Sequence, residues 1–344
     1  MRLIIVTQTV DADAQFLGFF VEWIRAFAAR CEHVTVIARS VGRYDLPGNM
    51  VVRSMGAEKG AGRVRRILNL WRELWRALPE SDGVFIHMIP LFALVAWPLT
   101  ALRRKPLTMW YAHKSVDLPL KLSLLCVDRV FTSSKEGFRL ASPKVMVVGQ
   151  GIPVAARPRV AHDGFRLIAV GRLSPVKRLE VLIEALGKLK DDARVTLTIV
   201  GGPVAPEDHE YLAKLRAQAT ALGVESRVTF AGIVPYEKLW DVYAEHDLYV
   251  HASETGSIDK VVLEAMISGL PAVTSSEAFA DLDASMRFPK GDAAALAERI
   301  RSWQRRLAGD PNLGAVLAER VRATHGLPQL IDRIVTAIAG LGNL

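Results

Sequence analysis

Cysteine is nearly missing from this chain: Cys31 and Cys126 are the only two in 344 residues. That excludes a disulfide framework and a cysteine-rich metal site, and it suits a reducing cytoplasm. A cleavable leader is not expected, because Met1 runs into the short apolar stretch Leu3–Val6 and then into polar residues. Long hydrophobic runs are scarce as well. The most apolar segment, 88–102, is broken by Pro90 and Pro98 and is short for a membrane span, so it reads as a buried or surface-dipping helix. Aromatic residues interleaved with a basic patch on a nucleic-acid-reading motif are not found, so nucleic acid is not expected as a partner.

What is present is an ordinary globular composition, half apolar and 23% charged, at a length that suits two domains. The net charge of +8 is unevenly spread. Residues 1–150 hold 21 Lys and Arg against 12 Asp and Glu, a balance of +9; residues 151–344 hold 23 against 24, a balance of −1. The basic first part therefore calls for an anionic partner, such as a lipid surface or a lipid-linked phosphate.

Short apolar strands alternate with helical stretches along the whole chain. Strands are expected at 3–6, 33–38, 83–87, 107–111, 129–132 and 144–148, with a helix over 18–30. A Pro- and Arg-containing stretch after Pro153 reads as a linker up to Gly164. The alternation then restarts, with strands at 165–170, 195–200, 228–231, 248–251 and 271–274 and helices at 178–189, 208–222 and 261–268. This is the pattern of an α/β chain with two doubly wound, Rossmann-like domains facing a central cleft, where ligands sit beyond the carboxyl ends of the strands.

Two segments carry the chemistry. The first is a strand ending in Gly171, followed by Arg172 and Lys177. The second runs from Ser253 through Glu254, Gly256, Ser257, Ile258 and Asp259 into a helix bearing Glu264. Paired cations, helix-start amides and a carboxylate suit three parts of one ligand: a diphosphate, a sugar and a ribose.

These residues, in this order, make the chain similar to the retaining nucleotide-sugar glycosyltransferases of the GT-B fold, family 4 (glycosyl transferases group 1). The resemblance rests on Gly171-Arg172 with Lys177, on Gly201-Gly202 after a strand, on Val228, Phe230 and Gly232 at a strand end, and on the Leu263–Pro271 helix segment. Gly18 resembles the family's glycine after the first strand, and His113, in Trp-Tyr-Ala-His-Lys-Ser, its active-site histidine. The resemblance implies that Arg172 and Lys177 neutralise the leaving diphosphate in place of a metal. It implies that Glu264 accepts from the ribose hydroxyls, and that His113 binds or polarises sugar or acceptor. Gly18, Gly202, Gly232, Ile233, Gly256, Ser257, Ile258 and Asp259 would line the donor, with base contacts around Gly232-Ile233. No cofactor or metal is expected beyond the nucleoside-diphosphate sugar itself.

One spacing departs from the family. It usually shows Glu, seven residues, then Glu; here Glu264 fits the second position, but Gly256 occupies the first and Glu254 lies two residues further upstream. Either the loop is extended and Glu254 keeps its catalytic place near the donor sugar, or the backbone of Gly256–Asp259 replaces it, with Asp259 a second stand-in.

The resemblance implies domains of 1–154, joined by a C-terminal helix over 328–344, and of 155–327. It implies transfer of a hexose-type sugar to a glycan or lipid-linked acceptor in cell-envelope or exopolysaccharide synthesis. A binding subunit without catalysis, and an epimerase or phosphorylase on the same fold, are the alternatives. Three further features are ambiguous. His87 ends a strand and suits either core or cleft. Asp11-Ala12-Asp13 mimics a metal-binding triplet but reads as a solvated or acceptor-contacting loop. Residues 63–78 form an amphipathic helix whose tryptophans and arginines suit either packing on the sheet or peripheral contact with the inner face of an anionic membrane.

Overall fold

The computed structural model describes residues 1–14, 17–113, 115–153, 157–254, 258–279 and 284–342. The chain divides into two compact units, residues 1–153 with 324–344, and residues 154–323.

The first unit holds a seven-stranded parallel sheet of order β3-β2-β1-β4-β5-β6-β7. The strands are β1 (Arg2–Val10), β2 (His33–Val41), β3 (Met50–Ser54), β4 (Gly83–His87), β5 (Leu107–Trp110), β6 (Arg129–Thr132) and β7 (Val145–Val147). The two-residue period of β1 divides its side chains between two cores. Leu3 and Ile5 join Trp23, Phe27, Phe85 and Phe131 on one face. Ile4 and Val6 join Leu70, Leu74, Ile86 and Met109 on the other. The first face is covered by α1 (Phe20–Ala28) and by the C-terminal helix Leu327–Leu341, whose Leu330, Ile331, Ile334 and Ile338 are fully buried. That helix is tied in where Ile152 N–H donates to His325 O and Leu327 N–H to Ile152 O, both at 2.8 Å. The second face is covered by α2 (Arg63–Ala77), α3 (Pro90–Leu102) and α4 (Leu118–Cys126). Asp117 caps α4 by accepting from Leu120 N–H at 2.9 Å.

The second unit holds a five-stranded parallel sheet of order β10-β9-β8-β11-β12. Its elements are β8 (Phe165–Val170), α5 (Leu179–Gly187), β9 (Val195–Val200), α6 (Pro206–Ala221), β10 (Val228–Gly232), α7 (Tyr236–Ala244), β11 (Leu248–His251), α8 (Lys260–Ile267), β12 (Ala272–Thr274), α9 (Ala293–Gly309) and α10 (Leu313–His325). In both sheets the strand order reverses direction beside the first strand, between β1 and β4 and between β8 and β11. Those are the switch points at which doubly wound sheets open a crevice.

Candidate active site

The crevice of the second unit lies between the ends of β8 and β11, lined by Gly171, Arg172, Lys177, Tyr249, His251 and Ala252. Close backbone approach builds it. Gly171 N–H donates to Val200 O at 2.9 Å, Leu173 N–H to Gly202 O at 3.1 Å, and Gly201 N–H to Gly232 O at 2.8 Å. The loop after β8 is thereby laced to the carboxyl ends of β9 and β10. A side chain at Gly202 would press on Ile233 Cγ1 at 2.8 Å, and Ile233 itself is 73% exposed. Gly232 has a left-handed φ of 71° and open space around it.

The loop then makes a 3-10 turn over Pro175–Lys177 and enters α5 through Arg178, a non-glycine residue at φ 51°. Two carboxylates hold that uncommon backbone position. Arg178 Nε donates to Glu180 at 2.6 Å and Nη1 to Glu254 at 3.0 Å. Glu254 therefore lies at the side of Arg178, with 41% of its side chain exposed, and its N–H donates to Val176 O at 3.0 Å. Arg172 is exposed and makes no hydrogen bond among the described residues. Its charge reaches Asp208, whose carboxyl is held below the usual range first by the Ala205 and Val204 amides and then by Arg172.

Lys177 is part-buried, with 18% of its side chain exposed. Its ammonium donates to Asp259 Oδ2 at 2.9 Å, and His251 Nε2 donates to the same oxygen at 2.6 Å. Burial alone would raise the Asp259 carboxyl. The hydrogen bond from His251, with the charge of Lys177, outweighs it and holds the group well below the carboxylate range. Asp259 precedes the first turn of α8, and Ile258 beside it is buried. Gly256 and Ser257 lie outside the described residues.

Glu264 stands one turn into α8 and is 2% exposed. It accepts from Tyr236 OH at 3.0 Å and pairs with Lys260 at 3.3 Å. Lys260 also lies over the Tyr236 ring, 5.2 Å from its centre. Burial lowers the Lys260 pKa, with Glu264 opposing the shift. Lys260 and Tyr236 were not singled out from the sequence; the signal was Lys four residues ahead of Glu on one helix face.

In the first unit, Gly18 lets the 11–14 loop fold back: a Cβ there would stand 2.7 Å from Ala12 O. His113 is exposed, and its Nδ1 accepts from Ser115 N–H at 3.1 Å. A neutral ring then carries its proton on Nε2. His87 is a packed core residue. It is stacked on Phe20 with ring centres 3.7 Å apart and bonded through Nδ1 to Thr7 Oγ1 at 3.1 Å, and burial lowers its pKa to about 3. The Asp11-Ala12-Asp13 acids are already engaged. Asp13 pairs with the Arg43 guanidinium, and Asp11 Oδ1 accepts from Arg43 N–H and Asp13 N–H, both at 3.1 Å. No group of three metal-ligating side chains is found among the described residues.

Two Rossmann-like α/β units of this strand order are the architecture of the GT-B fold, and solved structures carry it as well. HepE of Anabaena, solved with UDP and also with UDP-glucose, superposes with a TM-score of 0.79 at 16% identity, covering 99% of this chain and 100% of that one. The family model for glycosyl transferases group 1 matches residues 164–305, so the second unit carries a glycosyl transferases group 1 domain. Over 308 residues the chain is 25% identical to the lipopolysaccharide core biosynthesis mannosyltransferase LpcC of Rhizobium leguminosarum bv. viciae, covering 81% of this chain and 82% of LpcC. Over 122 residues it is 32% identical to the mannosylfructose-phosphate synthase of Agrobacterium fabrum, a match of 35% of this chain and only 27% of the synthase.

Proposed function

We propose that the chain is a retaining, metal-independent glycosyltransferase. It would move a hexose-type sugar from a nucleoside-diphosphate sugar to a glycan or lipid-linked acceptor in cell-envelope or exopolysaccharide synthesis. The observation that carries this reading is the meeting of Arg172, Lys177 and the start of α8 at one sheet edge, with the buried Glu264 further along the same helix. Breaking the bond between anomeric carbon and phosphate puts negative charge on the leaving diphosphate. Donors already aimed at that charge contribute most to the rate. Arg172 supplies a fork for phosphate oxygens, Lys177 a fixed point charge, and the first turn of α8 the positive end of a helix dipole. Glu264 would take the ribose hydroxyls, exchanging the Tyr236 hydroxyl for a ligand hydroxyl. His113 would offer its Nε2 proton to the sugar or the acceptor. The LpcC relationship supports an envelope glycan as acceptor, and the fold shared with HepE supports a nucleoside-diphosphate donor.

The acceptor reading extends to a membrane surface at the first unit. The apolar stripe of α2 divides in two. Leu70 and Leu74 are buried on the sheet, whereas Val64, Leu68, Trp71 and Trp75 are exposed, at spacings of one helical turn. Leu91, Trp97 and Leu102 of α3 and Leu118, Leu122 and Leu125 of α4 are exposed in the same helical layer. Exposed Arg63, Arg65, Arg72 and Arg76 accompany them, and Arg103 lies 4.5 Å over the Trp75 ring. Apolar side chains edged by arginine suit the headgroup zone of an anionic bilayer. Among the described residues no helix is long and apolar enough to cross one.

A thermal-shift panel of UDP-, GDP-, ADP- and CMP-sugars, followed by nucleotide release in EDTA, tests the enzymatic reading. One donor raises the unfolding midpoint and turns over in chelator. A panel without any shift, or turnover that needs added Mg²⁺ or Mn²⁺, overturns it.

A further inference from the structure

We propose that His251 and Asp259 are positioning residues for Lys177. The imidazole fixes the Asp259 carboxylate, and Asp259 holds the lysine ammonium at the carboxyl edge of the sheet. The proposal rests on the reading of this edge as the donor diphosphate site.

The hydrogen-bond directions leave one arrangement for a neutral imidazole. Asp259 Oδ2 receives both Lys177 Nζ and His251 Nε2, and a carboxylate can only accept. His251 must therefore carry hydrogen on Nε2, which leaves Nδ1 as an acceptor. Nδ1 faces Thr274 Oγ1 at 2.9 Å. That hydroxyl already accepts from Ser276 N–H at 3.0 Å, so its own hydrogen is free for Nδ1. The line runs Ser276 amide, Thr274 hydroxyl, His251, Asp259, Lys177, with each donor matched to one acceptor. It is also rigid at its base. His251 is 5% exposed and Thr274 is fully buried at the ends of β11 and β12, which pair in register. A side chain held by packing and by a second set of hydrogen bonds keeps its geometry through a reaction; a solvated lysine on a loop does not.

Glu254 cannot take this part, because Arg178 holds it and it is partly exposed. The only carboxylate bonded to the diphosphate lysine among the described residues is Asp259. An anion on Lys177 also weakens the pull of that lysine on an incoming diphosphate in the ground state. The pair therefore gives up binding of the nucleotide for placement of the charge, which serves the transition state. Positioning and plain structural support then predict opposite signs for nucleotide affinity.

The experiment compares Asp259→Asn, His251→Leu and His251→Gln with the unaltered protein. UDP, GDP, ADP and CMP are titrated by calorimetry, nucleotide release from UDP-glucose and GDP-mannose gives kcat, and thermal unfolding checks the fold. Asp259→Asn lowers kcat by about thirtyfold or more while the diphosphate binds as well or up to about tenfold tighter. His251→Leu shifts both values the same way. His251→Gln, whose amide can still donate to Asp259, restores most of what His251→Leu loses. The proposal is overturned if Asp259→Asn keeps kcat within about threefold, or loses kcat and nucleotide affinity together. It is overturned equally if His251→Gln falls as far as His251→Leu, a comparison that stands even where Asp259→Asn does not fold. An unaltered protein that binds none of UDP, GDP, ADP and CMP overturns the donor-site reading itself.

Discussion

A Cβ placed on Gly201 would stand 1.9 Å from the carbonyl oxygen of Gly171. The contact joins the ends of β9 and β8 where the Arg172–Lys177 loop begins, and Gly201 sits at φ 133°, a region that disfavours side chains. Gly201→Ala must push the loop off the sheet. Backbone strain and overpacking together cost about 2–5 kcal/mol. The expected result is a clear drop in the unfolding midpoint with loss of nucleotide binding. A Gly201→Ala protein as stable as its parent, with the same nucleotide affinity, would show that the loop does not need this approach.

Glu264 and Glu254 separate cleanly. On the proposed reading, removing Glu264 takes a charged acceptor from the ribose and costs about 1.5–3 kcal/mol of binding. It also removes the ion pair of the fully buried carboxylate with the part-buried Lys260, so Glu264→Ala loses stability as well as nucleotide affinity. Glu254→Ala breaks only a part-exposed pair with Arg178 and leaves nucleoside diphosphate affinity nearly unchanged. Calorimetric titration of both variants decides. Loss of affinity in the Glu254 variant, with affinity kept in the Glu264 variant, reverses the two roles.

The strands at 83–87, 129–132, 165–170, 195–200 and 248–251 were legible at their observed limits. They are mostly buried apolar runs, which is what a parallel sheet covered on both faces requires. β1 runs to Val10 rather than Val6, because Thr7, Gln8 and Thr9 carry it on to the polar carboxyl edge. β3 escaped the reading because this edge strand is only part-buried and contains Arg53. In the second unit, Gly171, Arg172, Lys177 and Glu264 were readable because each lies in a local motif. The partners of Lys177 and Glu254 were not, because Asp259 is 82 residues from Lys177 and Glu254 is 76 from Arg178. His251 carried the same signal that marked His87 and His113, a histidine near a strand end, and was passed over.

Acid weakens the first unit through buried histidines. Burial lowers the pKa of His87 to about 3; burial, then the charge of Arg333, lowers that of His325 to about 4. Both folded values lie below the ordinary 6.5, so folding favours the neutral ring. That stability is complete above pH 6.5 and is lost as pH falls towards the folded values, at about 1.4 kcal/mol per pH unit for each ring. Denaturant unfolding followed by tryptophan fluorescence should show a falling midpoint below pH 6.5, and His87→Gln should flatten the slope. A midpoint independent of pH from 7 to 4.5 contradicts the assignment.

Membrane contact through α2, α3 and α4 predicts flotation with anionic vesicles at low salt and release at high salt, since surface charges are screened over about 8–10 Å at ordinary ionic strength. Replacing Trp71 and Trp75 together with serine should abolish flotation without changing nucleotide affinity. Absence of binding to anionic vesicles at low salt rejects the surface.

The proposed donor site stands on Arg172 and Lys177 holding the leaving diphosphate. It is tested most directly by measuring transfer from the donor identified in the sugar-nucleotide panel, using the unaltered protein, Arg172→Ala and Lys177→Ala, each shown to be folded. A loss of about a hundredfold or more in kcat/KM is expected for each variant, the scale of removing one charge-stabilising donor. Near-normal turnover in both would contradict it.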